Sequence, residues 1–409
     1  MHRQLVQWHR RKHQLPRLPR NAEGGAGLHQ ISPQGMKGRI TMKRIFALLL
    51  CLMLLPIAAL AEEAESDIQV ITITCTGDTT LGSSKRVQTK FAEHSYQAYI
   101  EKYGYEYPFD GIRHLTENDD ITLVNLEGVL YEPKELATSH LVFNGPQDYA
   151  KILSAASVEI VNLANNHTDD YGKPGYQSTV EALQAEGIAY SGDTDFGRDL
   201  YWFDFENDVR IGFIGLLPSY RGKNPTKVEQ DFQKLKDAGC DVIVASIHCG
   251  VEGQATHSQM TDTYRKLAMS LGAHIVVGTH PHVPQGLWVE KGVTTLHSLG
   301  NFSFGGNTGV NEALYSPESI IAQIDLHFKD GVYIGHQVTI WPIMTTGAAD
   351  GTGMDGKGYA NDYRPILVEG EAAQAIMKKV QKDTTFTLNP YVDGQGAVQE
   401  FVPWPGSKK

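Results

Sequence analysis

The sequence predicts an α/β sandwich built on mixed sheets. Apolar runs rich in Ile, Val and Thr alternate with helix-like segments along most of the chain, a pattern typical of layered α/β proteins. Two late runs, Ile320 to Phe328 and Val332 to Trp341, follow one another without a helix between them, which indicates antiparallel pairing beside parallel strands. After Ile343 the composition becomes rich in Gly and Asp, which indicates a loop. We therefore expect the sandwich over residues 62–345 and a linker with a C-terminal segment over residues 346–409.

Each element follows from the local pattern. Short β-branched apolar runs predict strands, and the longer mixed segments between them predict helices. A turn at Asn207-Asp208 predicts a hairpin, because Asn and Asp favour tight turns. In chain order, we expect strands over 68–77 and 119–128, a helix over 146–157, a strand over 158–166, a helix near 175–186, a short strand over 188–190, the hairpin over 201–219, a helix near 227–238, a strand over 241–250, a helix over 258–271, and strands over 274–280, 286–290, 294–298, 320–328 and 332–341.

The amino-terminal region predicts export. Lys43 and Arg44 precede an apolar stretch from Ile45 to Leu55, and Ala59-Leu60-Ala61 forms a small-residue cleavage site. This is the pattern of a signal peptide over residues 42–61, with an uncleaved membrane anchor as the alternative. Residues 1–41 are basic and lack apolar periodicity, so we interpret them as a non-native extension or a disordered tail.

Charge and cysteine content narrow the function classes. Residues 1–61 carry ten basic residues and one acid, so a whole-chain net charge of −11 leaves −20 on the remainder. A surface this acidic argues against a nucleic-acid partner. The remainder holds Cys75, Cys240 and Cys249, too few for a disulfide framework. We expect the first two in the core and Cys249 near the chemistry, because it follows His248 directly.

The stretch VVGTHPHVPQ, from Val276 to Gln285, places two imidazoles where a strand ends. In an extended backbone, residues i and i+2 point to the same side, and Pro281 favours extended shapes before it. His280 and His282 are therefore expected to project in parallel and to provide half of a transition-metal site. The alternative is a pair of solvent-exposed loop histidines.

Other predicted strands end in the same kinds of residue. In α/β sheets, functional residues gather beyond the carboxyl ends of strands. Two carboxylates, a carboxamide and three imidazoles can hold two divalent ions, and a carboxylate can bridge ions roughly 3.5–4 Å apart. The separate alternatives are a turn aspartate, a solvated strand end and Asx-type caps. The residues at these ends are Asp78, Glu127, Asn165, Asn166, His167, Asp169, His248, His280, His282 and Asn301.

His167 remains free for proton transfer. A reaction that expels an oxygen needs a group to protonate it, and an imidazole suits that role. Asp169 or Asp170 could accept the second ring N–H and fix the tautomer of His167.

These motifs resemble those of the CapA/PgsA-like family of poly-γ-glutamate capsule synthesis proteins, which have a calcineurin-like metallophosphoesterase fold. The resemblance rests on GDTTLG, NLEG, NLANNHTDDYG, IHCGVEG, GTHPHVPQ and SLGNFSF in that order, between Ile71 and Phe304. It implies a four-layer α/β/β/α sandwich with two divalent ions of Mn, Fe or Zn. It implies a ligand set of Asp78, Glu127, Asn166, His248, His280 and His282, with His167 beside the transferred group. We expect His167 and Asp169 to be the catalytic residues.

Two positions depart from the metallophosphoesterase pattern. Thr80 stands where those enzymes carry a histidine, and Glu127 stands where they use an aspartate. The expected function is an exported metal-dependent hydrolase acting on a phosphoester or related bond in capsule or poly-γ-glutamate metabolism. Its partners would be an anionic polymer or phosphoester substrate and a membrane-bound capsule synthesis complex. The alternatives are a non-catalytic assembly or export component and a protein that captures an anionic ligand in the same cleft.

Overall fold

The computed structural model describes residues 68–407, with gaps at 138–141, 194–195, 219–224, 307–308, 311–315 and 349–358. The predicted extension over 1–41 and the predicted signal peptide over 42–61 lie outside the described residues. Within the described part, none of the helices has the length and apolar character needed to cross a membrane.

The strands follow the predicted order, with shifted ends. They are β1 (Ile68–Thr80), β2 (Ile121–Leu126), β3 (Val129–Leu130), β4 (Asn144–Gly145), β5 (Ile160–Asn162), β6 (Ala189–Asp193), β7 (Arg198–Asp199), β8 (Tyr201–Asp204), β9 (Arg210–Leu216), β10 (Val242–His248), β11 (Ile275–Thr279), β12 (Leu287–Glu290), β13 (Val293–Leu296), β14 (Asn301–Phe304), β15 (Gly309–Val310), β16 (Glu318–Lys329), β17 (Val332–Met344), β18 (Tyr359–Ala360), β19 (Ile366–Leu367), β20 (Ala397–Val398) and β21 (Val402–Pro403).

The helices begin and end at recognisable signals. The Ser258 side chain accepts the backbone N–H of Thr261 at 3.2 Å, and Gly272 ends the same helix with a φ of 105°. The α-helices are α1 (Lys85–Lys90), α2 (Tyr96–Tyr103), α3 (Arg113–Thr116), α4 (Ala150–Ala155), α5 (Gly172–Ala185), α6 (Pro225–Asp237), α7 (Gln259–Leu271) and α8 (Gly370–Gln381). Short 3₁₀ helices cover Ala92–His94, Tyr107–Ile112, Gln147–Tyr149, Glu206–Asp208 and Pro405–Ser407.

The strands form two large mixed sheets. Sheet 1 has the order β19-β17-β16-β1-β2-β5-β6-β7, with β14 also paired to β1, and sheet 2 has the order β12-β13-β11-β10-β9-β8. In sheet 1, β1, β2, β5 and β6 are parallel, whereas β16 and β17 are antiparallel. In sheet 2, β9, β10, β11 and β13 are parallel, and β8 and β12 pair antiparallel at the edges. The predicted mixed pairing is therefore confirmed.

Side-chain alternation sorts the apolar residues into three layers of core. Along β10, Val242 and Val244 face a cluster shared with sheet 1, and Ile243 and Ala245 face a cluster with α6 and α7. The third cluster lies between the other face of sheet 1 and α2, α4 and α5. Three apolar layers separate four layers of structure in the order helices, sheet, sheet, helices, which confirms the predicted four-layer sandwich.

The segment after the predicted linker joins sheet 1. Strands β19, β20 and β21 all pair with β17. Helix α8 buries Ala373, Ile376 and Val380 in the cluster between the sheets. The described residues beyond 345 thus share the core of the sandwich, so residue 345 does not end a compact unit.

Asn301 lies in a separate strand from the one at whose end it was expected. The strand predicted over 294–298 is β13, which ends at Leu296, and Asn301 begins β14. Gly300, with a φ of 83°, turns the chain between them. The chain leaves sheet 2 at this turn. Strand β14 lies in sheet 1, where it pairs parallel with β1 and places Asn301 opposite Asp78.

Candidate metal centre

The strand ends of both sheets meet in one buried cluster. Sheet 1 contributes oxygen atoms through Asp78 in β1 and Glu127, directly after β2. Sheet 2 contributes nitrogen atoms through His248 at the end of β10 and through His280 and His282 after β11. The structure brings all five predicted residues together.

A glycine explains how β14 comes so close to Asp78. A Cβ atom on Gly77 would lie 2.0 Å from the carbonyl oxygen of Gly300, so no other residue fits there without a shift of the backbone. The same carbonyl accepts the backbone N–H of Asp78 at 2.9 Å. The sequence TGD at the end of β1 thus fixes the carboxylate in place.

Asp78 is fully buried and closely held. Its Oδ1 accepts from the Asn125 amide at 2.7 Å, and its Oδ2 accepts the backbone N–H of His280 at 3.1 Å. His282 Nδ1 lies 3.2 Å from Oδ2. Burial alone would raise the pKa of Asp78, but the hydrogen bond and charge of His282 hold it well below its usual range.

Glu127 is fully buried, and neither carboxylate oxygen has a hydrogen-bond partner among the described residues. Its Oε1 lies 3.5 Å from His248 Nε2 and 3.9 Å from His282 Nε2. Burial, and then the charge of Asp78, raise its pKa to about 8. A buried carboxyl without donors is costly unless a cation faces it.

Two groups of three ligand atoms, each within 4.8 Å of one another, share Glu127. One group is Glu127, His280 and His282, and the other is Asp78, Glu127 and His248. A carboxylate common to two sets is the arrangement that bridges two ions. The donor set of carboxylates and imidazoles therefore fits a pair of divalent cations.

Asn166 and His280 converge on the same nitrogen of His248. His248 Nε2 lies 2.6 Å from Asn166 Oδ1 and 3.2 Å from His280 Nδ1. Asn166, whose side chain is exposed, lies at the mouth of the cluster, whereas Asn165 is buried and donates to the carbonyl of Leu126 at 2.8 Å.

The reason given for the paired histidines was wrong, although the pair does converge. The chain bends after β11, and His280 and His282 have φ values of 99° and 58°, so neither is extended. Their ring centroids lie 5.9 Å apart at an angle of 52°. The backbone N–H of His280 bonds to Asp78, and His282 Nδ1 lies 2.8 Å from Asn301 Oδ1, so hydrogen bonds and not strand alternation aim the two rings.

Protonation in the cluster follows from burial. Burial lowers the pKa of His248 to about 3 and of His280 to about 4, so both are neutral and able to bind a cation at pH 7. Burial opposes the charge of His282 as well, but Glu127 and Asp78 outweigh it and raise that pKa to about 10. Glu127 and His282 thus retain protons that a bound cation would displace.

His167 lies beside the carboxylates. Its Nδ1 is 3.0 Å from Asp170 Oδ2, and its ring packs on Phe143 with centroids 4.6 Å apart. Burial lowers its pKa, but the hydrogen bond from His167 to Asp170 and the charge of Glu127 hold the pKa above its usual value. The orienting carboxylate is therefore Asp170, and the role predicted for Asp169 is corrected, because the turn over 165–170 aims the next residue at the ring.

The sequence reasoning missed a buried carboxamide network. Asn125 donates to Asp78, and its own Oδ1 accepts from Asn162 at 2.8 Å and from Asn165 at 3.3 Å. The signal was an asparagine within two otherwise apolar strands, VNL in β2 and VNL in β5. Cys249, in contrast, packs in the apolar layer with α6 and α7, 3.9 Å from Thr261 Oγ1, and it contributes nothing to the cluster.

The two sheets, the four layers and the buried cluster define an α/β sandwich protein. Its candidate metal centre lies where the strand ends of sheet 1 meet those of sheet 2. Residues 72–306 match the family model described as "Bacterial capsule synthesis protein PGA_cap", and the chain belongs to that family. This range contains every residue of the candidate centre, and the predicted CapA-like membership is confirmed.

Two curated relatives carry matching names. The chain is 29% identical over 227 residues to "Capsule biosynthesis protein CapA" of Bacillus anthracis, covering 50% of this chain and 55% of the relative. It is 30% identical over 185 residues to "PGA biosynthesis protein CapA" of Bacillus subtilis (strain 168), covering 40% and 47%. The chain thus spans about half the length of the curated relatives it matches.

Solved structures show a distant likeness. The protein TT1561 of Thermus thermophilus has a TM-score of 0.32 and 9% identity, covering 62% of this chain and 94% of that one. Vps29 of Chaetomium thermophilum, complexed with the cyclic peptide RT-D3, has a TM-score of 0.27 and 13% identity, covering 59% and 91%. The fold of this chain is therefore defined by its own sheets and layers and not by these two structures.

Proposed function

We propose that this protein is a metal-dependent hydrolase of the calcineurin-like metallophosphoesterase type, acting on a phosphoester or related bond in capsule or poly-γ-glutamate metabolism. The observation that carries the proposal is the state of Glu127. Both of its oxygens are buried without a hydrogen-bond partner in the described part of the chain, and it belongs to two three-ligand groups at once. A pair of cations is the partner that this carboxylate lacks.

The proposed ligands divide into two overlapping sets. His280 and His282 would hold one cation with Glu127, and Asp78 and His248 would hold the other with the same carboxylate. Asn166, 2.6 Å from His248, completes the second set from the mouth of the cluster. When bound, two such cations supply Lewis-acid polarisation of a phosphoryl oxygen and activation of water.

Side chains around the cations handle the proton and the ligand geometry. His167 Nε2 is the proposed donor to the leaving oxygen, because Nδ1 is engaged by Asp170 and the raised pKa of the ring favours its protonated form. Asn301 holds His282 through Nδ1, which leaves Nε2 directed at Glu127. Such outer contacts fix the tautomers of ligand histidines.

The setting proposed is the cell envelope. The signal-like pattern over residues 42–61 and the capsule-related names of the relatives support export, and the net charge of −20 on the remainder argues against nucleic acid. The proposed substrate is an anionic polymer or a phosphoester, handled beside a membrane-bound capsule synthesis complex.

A non-catalytic assembly or export role is the second candidate, and Thr80 favours it. Thr80 is buried, its hydroxyl has no hydrogen-bond partner among the described residues, and it stands where a ligand histidine is expected. A centre with one imidazole fewer could hold its fold while losing turnover.

A chromogenic phosphodiester and phosphomonoester assay separates the two roles. The purified protein with added Mn²⁺ should hydrolyse at least one of them, and Glu127→Gln should lower kcat/KM by about 10³-fold or more, in line with loss of a main electrostatic contribution. Bound metal without hydrolysis of either substrate would favour the assembly role. Absence of both metal and turnover would contradict the proposed centre.

A further inference from the structure

A second cluster of metal-binding side chains lies outside the candidate centre. His257, His297 and Asp383 each offer a ligand atom, and these atoms lie within 4.8 Å of one another. The three residues come from distant parts of the chain: the stretch before α7, the chain after β13, and the turn after α8. None of them belongs to the motifs that carry the proposed function.

The ring of His297 is buried, and one of its nitrogens, Nε2, is available as a metal ligand. Its side chain is 0% exposed, and its Nδ1 lies 3.0 Å from the carbonyl oxygen of Gly286. A carbonyl only accepts, so Nδ1 carries the proton and Nε2 carries a lone pair. His297 Nε2 is buried and has no hydrogen-bond partner among the described residues. An imidazole held by a backbone carbonyl with its other nitrogen free is prepared to bind a metal.

Asp383 orients the second imidazole. His257 Nδ1 lies 2.8 Å from Asp383 Oδ1, and the backbone N–H groups of His257 and Gly286 donate to Asp383 Oδ2 at 2.9 and 3.3 Å. These three bonds leave one acceptor position on the carboxylate. His257 Nδ1 and Asp383 Oδ1 thus lie close enough for one ion to contact both, once the ion has displaced the proton between them.

The rings of His257 and His297 pack against each other and against Trp288. The imidazoles of His257 and His297 stack with centroids 4.2 Å apart and planes 21° apart. Trp288 stands edge-on to both, and its Nε1 donates to the carbonyl of Asp383 at 2.9 Å. Burial lowers the pKa of His297 to about 4, with His257 adding to the effect, so the ring is neutral at pH 7.

We propose that His257, His297 and Asp383 bind one transition-metal ion of the Zn²⁺ class, which clamps the C-terminal segment to sheet 2. Imidazole and carboxylate ligands suit Zn²⁺, and water or a further oxygen would fill the fourth position. The nitrogens of two stacked rings point along nearly parallel planes, so the His257 ring must turn toward an ion that it shares with His297. His257 can supply that movement, because it is half-buried and follows three exposed residues, 254–256.

The test compares metal content with and without the His257 ring. His257→Asn keeps an amide N–H that can donate to Asp383 but removes the imidazole ligand. We expect chelated and Zn²⁺-reconstituted His257→Asn to hold one equivalent fewer than its parent, in the wild-type and in the Glu127→Gln background alike. Zn²⁺ should also raise the parent melting temperature in the Glu127→Gln background, and His257→Asn should abolish this rise.

His114→Asn serves as the control for this test. His114→Asn changes an exposed histidine and should leave the metal count and the Zn²⁺-dependent melting shift unchanged. Equal metal content in parent and His257→Asn in both backgrounds would overturn the site, whatever happens at the candidate centre. Asp383→Asn, which retains a carbonyl acceptor, gives a second variant that should weaken Zn²⁺ binding at least tenfold.

Discussion

Sheet 1 and sheet 2 contribute different chemistry to the candidate centre. Sheet 1 supplies oxygen ligands, Asp78 and Glu127, and sheet 2 supplies imidazoles, His248, His280 and His282. Both three-ligand groups contain members from each sheet, so neither sheet holds a set alone. The centre therefore exists only because the apolar layer between the sheets fixes their strand ends against each other.

The two contributions also differ in electrostatic cost. On sheet 2, His248 and His280 are neutral at pH 7, because burial lowers their pKa values to about 3 and about 4. On sheet 1, two carboxyls are buried side by side, and the pKa of Glu127 rises to about 8. In the cation-free protein the cost of ionising a ligand therefore lies on the sheet 1 side, at Glu127, where a metal ion would relieve it.

Glu127→Gln should give the largest effect. The amide keeps the shape but cannot bridge two ions, so both equivalents of metal should be lost from the centre. The metal-free variant should at the same time be more stable than metal-free wild type at pH 7, by about 1–3 kcal/mol or more, because wild type must keep the buried Glu127 carboxyl protonated at a pH where the unfolded chain ionises it. Elemental analysis and thermal melting after chelation measure the two effects.

His248→Gln is the matched change on sheet 2. His248 belongs to one of the two groups, so this variant should lose one equivalent and retain the other. Equal losses in the two variants would contradict the assignment of Glu127 as the shared ligand.

Asp170→Asn should give an intermediate effect on turnover and none on metal content. The asparagine can still accept from the backbone N–H of Phe143, as Asp170 does at 2.8 Å, but it no longer raises the pKa of His167. A proton donor with a lower pKa loses its proton at lower pH, so the alkaline limb of the pH–kcat profile should shift to lower pH. We expect kcat at neutral pH to fall about 10–100-fold, as for outer-shell changes in general.

Asp169→Asn is the control for that variant. It changes the neighbouring carboxylate, which the sequence alone could not separate from Asp170. A larger loss of turnover in Asp169→Asn than in Asp170→Asn would return the orienting role to Asp169.

His274→Asn tests acid sensitivity away from the centre and should leave metal content and turnover unchanged. The backbone N–H of Ile243 donates to His274 Nδ1 at 3.0 Å, and burial, with Lys236, lowers the pKa of His274 from 6.5 to about 4. The unfolded chain therefore binds the proton first, and stability present above about pH 6.5 is lost as the pH falls toward 4, on the order of 3 kcal/mol. Asn keeps the acceptor without titrating.

Urea unfolding at pH 7 and pH 5 measures that contribution. His274→Asn should lose less stability between the two pH values than wild type, and the exposed His114→Asn should behave as wild type. An unchanged pH dependence in His274→Asn would show that the proton goes elsewhere.

Most of the fold and the membership of the cluster could be predicted from sequence. The apolar runs in β10 and β11 are unambiguous because both faces of these strands are buried, and β10 ends in His248 while β11 ends directly before His280. Strand β1 is buried from Ile73 onward and continues two residues past Asp78. The residue at the end of a strand can be identified from the neighbouring sequence alone, so no structure is needed to predict it.

What could not be predicted depended on close approach and turn geometry. The transfer of β14 to sheet 1 requires Gly77 and Gly300 to meet, a contact between residues over 200 positions apart. The bend that aims His280 and His282 uses left-handed backbone at non-glycine residues, which residue type alone does not indicate. Asp169 and Asp170 are adjacent residues of the same type, and only the geometry of the turn decides which of them contacts His167.

Metal content tests the central claim most directly. Wild-type protein and His280→Ala/His282→Ala would be compared by elemental analysis after reconstitution with Mn²⁺, Fe²⁺ or Zn²⁺. A centre assembled from both sheets predicts close to two equivalents in wild type and close to one in the variant, which keeps the group of Asp78, Glu127 and His248. Equal metal content in the two proteins, or none in either, would contradict it.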